Sequence, residues 1–111
     1  MATYSVYYMK AEFFRDGIMG FEWLREHDLL PDPAALTGSH VLLLRIAAAG
    51  LDDLYYKMQG EQWLPGGEAR AFIAAKGVRH TSMSVGDVVV DHSSGFAYLL
   101  DRIGFRRLTS R

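Results

Sequence analysis

The sequence contains no cysteine, which excludes disulfides, thiolate zinc sites and a cysteine nucleophile together. It also lacks a long hydrophobic run. The longest, residues 41–44 and 46–50, are separated by Arg45 and fall far short of the ~20 residues a membrane helix needs, so no membrane partner is expected. Charge of one sign is missing too: 12 basic against 13 acidic residues leave a formal net charge of −1, and no overall basic field advertises nucleic acid. There is no low-complexity segment and no internal repeat. The first residues show no basic start ahead of an apolar core. Together with the absence of cysteine, this makes a bacterial-type cytoplasm the expected location.

What is present is the composition of an ordinary folded domain: 111 residues, half of them hydrophobic. That length predicts one domain spanning 1–111, able to bury roughly 60–70% of its unfolded surface. Residues 3–9 place Tyr4, Val6 and Tyr8 on one face and Thr3, Ser5, Tyr7 and Met9 on the other, a strand pattern. Residues 11–38 carry no clear period. Within them residues 21–27 predict a short helix that Pro31 and Pro33 would stop, and Thr37-Gly38-Ser39 a turn. Residues 40–47 are almost continuously apolar, as in a strand buried on both faces. Leu51, Leu54, Tyr55 and Met58 then recur at helical spacing, with Asp52 and Asp53 in the first turn, where the helix dipole favours carboxylates. Residues 68–76 predict a second, shorter helix closed by Gly77. Strands over 88–90, 96–101 and 103–108 follow, joined by short polar connections. The expected class is α+β: a mostly antiparallel sheet with a C-terminal three-strand meander and two short helices packed on one face.

The densest polar cluster is Arg79-His80-Thr81-Ser82-Met83-Ser84-Val85-Gly86-Asp87. It holds every residue type of a Ser/His/Asp hydrolase, but without the strained Gly-x-Ser-x-Gly elbow that presents a nucleophile. An ordered loop accounts for it better. Ser and Thr hydroxyls satisfy loop backbone groups, Gly86 supplies positive φ, and Asp87 anchors the turn before a strand. Trp63, directly before Leu64-Pro65-Gly66-Gly67, is placed either as a lid on the core or as a contact residue. The four histidines, His27, His40, His80 and His92, lie 13, 40 and 12 residues apart with no metal-binding spacing, so no metal is expected. Asp87 and Asp91 are four apart on one side of a strand and are explained as strand-end polar residues.

Charge is unevenly placed. Residues 1–77 hold 7 basic and 10 acidic residues, residues 78–111 hold 5 and 3, and Arg102, Arg106, Arg107 and Arg111 crowd the end. Arg102, Arg106 and Arg107 beside Phe96 and Tyr98 form the expected surface for an alternative function, binding single-stranded nucleic acid by stacking and phosphate contacts. The competing explanation is a solvated edge that protects an outer strand.

Residues 51–61, Leu-Asp-Asp-Leu-Tyr-Tyr-Lys-Met-Gln-Gly-Glu, are similar to the amphipathic helix that precedes the signature of YodL-like domains. Residues 80–89, His-Thr-Ser-Met-Ser-Val-Gly-Asp-Val-Val, resemble their His-Ser/Thr-x-Ser-Val-x-Asp-Val signature, and Tyr98, Asp101, Gly104 and Phe105 resemble the positions after it. The resemblance covers about residues 40–108. The chain departs from it with Arg102-Ile103 between Asp101 and Gly104, and with Gly86 where others carry Ser. The resemblance implies a module of bacterial plasmids, phages and other mobile elements, with no assigned reaction.

The leading expectation is therefore a non-enzymatic accessory or interaction domain that needs no cofactor and meets a protein partner through Trp63, Arg79, His80, Ser82, Ser84 and Asp87. A homodimer through an exposed edge strand is a further expectation. A small hydrolase using His80, Ser82 or Ser84, and Asp87 is the third alternative, after nucleic-acid binding.

Overall fold

The computed structural model describes every residue except 62, 65, 110 and 111. Five strands, β1 (Ala2–Met9), β2 (His40–Ala48), β3 (Val88–Asp91), β4 (Ala97–Leu100) and β5 (Phe105–Leu108), form one antiparallel sheet in the order β2-β1-β3-β4-β5. The C-terminal meander is present, and the two N-terminal strands join it through β1, which pairs with β3. The class is α+β.

The helices are α1 (Ala11–Gly17), α2 (Phe21–Glu26), α3 (Leu51–Lys57) and α4 (Ala69–Ala75), with one 3₁₀ turn at Leu36–Gly38. As expected, α3 and α4 lie together on one face: Leu54, Met58, Ala69 and Ile73 pack with Tyr4, Val6, Tyr8 and Val89. The other face is covered as well. Leu24 of α2 and Leu36 pack there with Val88, Ala97, Leu99 and Leu108. Outside β2, the period-two alternation of the strands sorts their side chains between these two cores.

Two sequence expectations change here. The apolar run of β2 does not mark a central strand, because β2 is an edge. Its register against β1 shifts at Val6/Tyr7, leaving Leu43 as an extra residue. That bulge resets the alternation, so Val41, Leu43, Leu44, Ile46 and Ala48 all serve the α3/α4 core. A continuous apolar run thus feeds one face, while Leu42, Arg45 and Ala47 are exposed. Likewise α2 has close to its expected length but is not stopped by the prolines. Asp28 takes a left-handed φ of 56°, Leu29 N–H donates to Leu24 O (2.8 Å) and Asp28 N–H to Arg25 O (3.2 Å). This is a Schellman termination with Asp where Gly is usual. The helix α1, seven residues long, is too short to leave a period in the sequence.

The edge of β2 is blunted against strand addition. It carries the bulge, the charge of Arg45, and Lys57 Nζ donating to Ala47 O (3.3 Å). No helix among the described residues is long and apolar enough to cross a membrane.

Coverage of the second face has a direct test. Leu24→Ala removes a fully buried side chain and should lower the unfolding free energy by about 2–4 kcal/mol in urea titration. A loss near zero would put α2 off the sheet.

Candidate functional site

Residues 79–87 connect α4 to β3, and their chemistry is organised from within by one carboxylate. Asp87 is fully buried. Its Oδ1 accepts from Met9 N–H (2.8 Å), its Oδ2 from Ser84 N–H (2.8 Å), and both oxygens lie within reach of His80 Nε2 (3.0 and 2.8 Å). The bond to a carboxylate requires a proton on Nε2 of His80. The His80 ring stacks on Tyr8 at 4.6 Å and meets Phe14 of α1 at 5.0 Å. Its Nδ1 is buried, with no hydrogen-bond partner among the described residues. Tyr8 donates to Thr81 O (2.8 Å), and its hydroxyl pKa is driven far above the ordinary phenol value, first by burial and then by the Asp87 charge.

The same loop is tied to α3 and to the core. Trp63 is only 8% exposed and donates from Nε1 to Thr81 O (2.9 Å) and Gly60 O (3.1 Å). Gly60 N–H donates to Ser82 Oγ (2.7 Å), and Met83 N–H to Met58 O (3.0 Å). On the far side His40, fully buried, has Nε2 2.8 Å from Gly86 O and Nδ1 2.7 Å from Ser39 Oγ. Burial holds the His40 pKa below the ordinary imidazole value, against the opposing influence of Gly86 and Asp87. Gly86 has φ +100°, and a Cβ on it would stand 2.7 Å from the Gly17 carbonyl oxygen at the end of α1. Helix and loop therefore meet backbone to backbone.

Of the six residues expected at a contact surface, Trp63 and Asp87 are thus internal and His80 is almost so. Pro65, in the adjoining turn, lies outside the described residues. Arg79 is exposed. Ser82 and Ser84 line a cleft of about 630 Å³, walled by α1, α3 and the turn between β4 and β5. Phe14 comes from α1 and Ile18 from its C-cap, Asp52 and Tyr55 from α3 and Gln59 from just beyond it, and Leu100, Asp101, Arg102 and Phe105 from the hairpin. Sequence patterning missed this cleft. It placed Tyr55 on the apolar stripe of a helix with Leu51, Leu54 and Met58, whereas Tyr55 is 41% exposed on the cleft wall, and α1 had no signal at all.

Hydrolase geometry is not assembled. Ser82 Oγ receives Gly60 N–H, Ser84 Oγ donates to Ser82 O (3.1 Å), and neither serine bonds His80 among the described residues. The arginines do not share a surface either. Arg106 pairs across from Leu99 on the α2 face, and Arg107 across from Tyr98 on the opposite face. Arg106 covers Phe21 (4.1 Å) and is neutralised by Glu22 (3.2 Å) and Asp101 (3.5 Å). Arg107 stacks on Phe96 (3.6 Å) beside Tyr98, whereas Arg102 reaches Met19 O (3.4 Å). Arg111 lies outside the described residues.

The histidines are separated as well: His27 stacks on Trp23, and His92 bonds Ser5 Oγ (2.6 Å). Among the described residues no three His, Asp or Glu side chains gather as metal ligands. Asp91 accepts from the Ser93 hydroxyl and N–H, and the hydroxyl bond is the main reason its pKa falls below the usual carboxylate value.

No protein-family model matches the chain, and neither a curated protein nor a solved structure shows significant similarity to it.

Two outcomes test this arrangement. Gly86→Ala adds a Cβ at positive φ against the Gly17 backbone, and should cost about 3 kcal/mol or more in unfolding free energy. An unchanged denaturation midpoint would show that α1 does not abut the loop. His40 has a folded pKa below its unfolded value, so its contribution to stability is complete above about pH 6.5 and is lost as pH falls from there. The stability of wild type relative to His40→Gln should therefore decline from pH 7.5 to pH 5, with a slope of at most ~1.4 kcal/mol per pH unit. A difference constant across that range would show that His40 titrates normally in the fold.

Proposed function

We propose that the chain is a non-enzymatic protein-interaction domain whose contact surface is the cleft above Ser82 and Ser84. The observation that carries this reading is where exposed apolar side chains collect. Ile18 and Tyr55 rim the cleft, each 41% exposed, and Met19 and Ile103 line a second cleft that adjoins it through Asp101 and Arg102. Exposed apolar groups gathered around a concavity, with an arginine at the centre, are what protein contact sites offer. Engagement of both serine hydroxyls within the loop favours this over hydrolysis. Neutralisation of Arg106, and its placement on the face opposite Arg107, favours it over a nucleic-acid surface. On the resemblance of about residues 40–108, the setting of such a domain is a bacterial mobile element, and the absence of cysteine favours the cytoplasm as its compartment.

Selection of displayed peptides on the folded domain checks the surface. Enriched peptides should bind wild type and lose at least tenfold in affinity, about 1.4 kcal/mol, on Ile18→Asp and on Tyr55→Glu. Failure to enrich any peptide, or binding indifferent to both substitutions, would remove the cleft as the contact site.

A further inference from the structure

The cleft has a matching knob beside it on the same molecule. Ile103, in the turn between β4 and β5, is 93% exposed, the highest value among the large apolar side chains of the described residues. Its neighbours Asp101, Arg102 and Gly104 line the cleft itself. A protruding apolar side chain and an apolar concavity are therefore side by side. The walls of the concavity carry opposite charges, Asp52 on α3 and Arg102 on the hairpin. Neither takes part in an ion pair among the described residues.

We infer that the occupant of the cleft is the Ile103 turn of a second copy of this chain. The inference rests on the cleft being the contact surface. A two-fold axis requires a self-complementary patch, in which residue i meets j and j meets i. Adjacent knob and hole satisfy that requirement when the axis passes between them: each Ile103 enters the other copy's cleft, between Ile18, Tyr55, Val85 and Phe105. The charges follow the same rule, with Arg102 of each copy facing Asp52 of the other. Were the knob and the hole far apart, the same contact would propagate head to tail, as a ring or an open chain, instead of closing as a two-fold dimer. One alternative route to self-association, addition at the β2 edge, is obstructed by the bulge, by Arg45 and by Lys57.

Sedimentation velocity from low micromolar to several hundred micromolar protein tests the dimer. Wild type should shift with concentration from 12.5 kDa toward twice that mass. Ile103→Asp, Asp52→Arg and Arg102→Asp should each weaken the dimer at least tenfold, while the Asp52→Arg/Arg102→Asp double variant regains most of the loss, as a coupled pair does. All three positions are exposed, and a native circular-dichroism spectrum for each variant, at a concentration where wild type is monomeric, confirms that folding is not what fails. A wild type that stays monomeric throughout overturns the inference, as does a dimer indifferent to Ile103→Asp, or charge variants that the swap does not rescue. A monomer that still binds selected peptides through Tyr55 leaves the cleft as a contact site for another protein. A monomer that binds none removes both readings.

Discussion

A single buried carboxylate holds the two ends of this fold to each other. Asp87 sits at the start of β3 with no exposure to water and receives N–H groups from the end of β1, from Ser84 and from the His80 ring. Removing a charge from water costs several kcal/mol unless hydrogen bonds replace the lost solvation. Here the donors are two backbone amides and an imidazole, so the penalty is met only when β1, the loop and His80 are all in place. The carboxylate thereby converts three local conformations into one cooperative arrangement. The floor of the cleft, Ser82 to Val85, belongs to that arrangement, and its shape is fixed by groups that never touch its contents.

The polar signature of residues 80–87 is consequently the hydrogen-bonding plan of a loop seen from inside. His80 serves Asp87, Ser82 caps Gly60, and Ser84 closes back on Ser82. Trp63, which looked free to be a contact, spends its only polar group on loop carbonyls. What these residues expose on the outer side is an open concavity whose rim is apolar.

Much of the sheet was legible because alternation needs only a few residues to declare itself. Tyr4, Val6 and Tyr8 announced β1, and Val88 to Val90 announced β3. Features made by a single residue out of step were not legible. Leu43 as a bulge mimics a strand buried on both faces, since adding one residue shifts parity without changing composition. Asp28 ends α2 with a conformation that is rare outside glycine. The helix α1 is shorter than two turns' worth of pattern, and both the cover of the second face and the wall of the cleft depend on α1 and α2. The arginines were visible as a cluster along the chain, yet strand pleating sends Arg106 and Arg107 to opposite faces, a separation that linear charge counting does not register.

The contact between Gly17 and Gly86 carries one more implication, for sequence drift. Gly86 does not tolerate a Cβ while the Gly17 backbone stays where it is, and a Cβ on Gly17 would run into the Met9 sulfur. In a chain of this fold with serine at the position of Gly86, α1 must stand further from the loop, and Phe14 and Ile18 must move with it. The cleft wall would shift by the same amount. Glycine at that one position is thus a marker for the cleft's width, and chains that differ there are expected to differ in what they accommodate, even where every cleft-lining residue is shared.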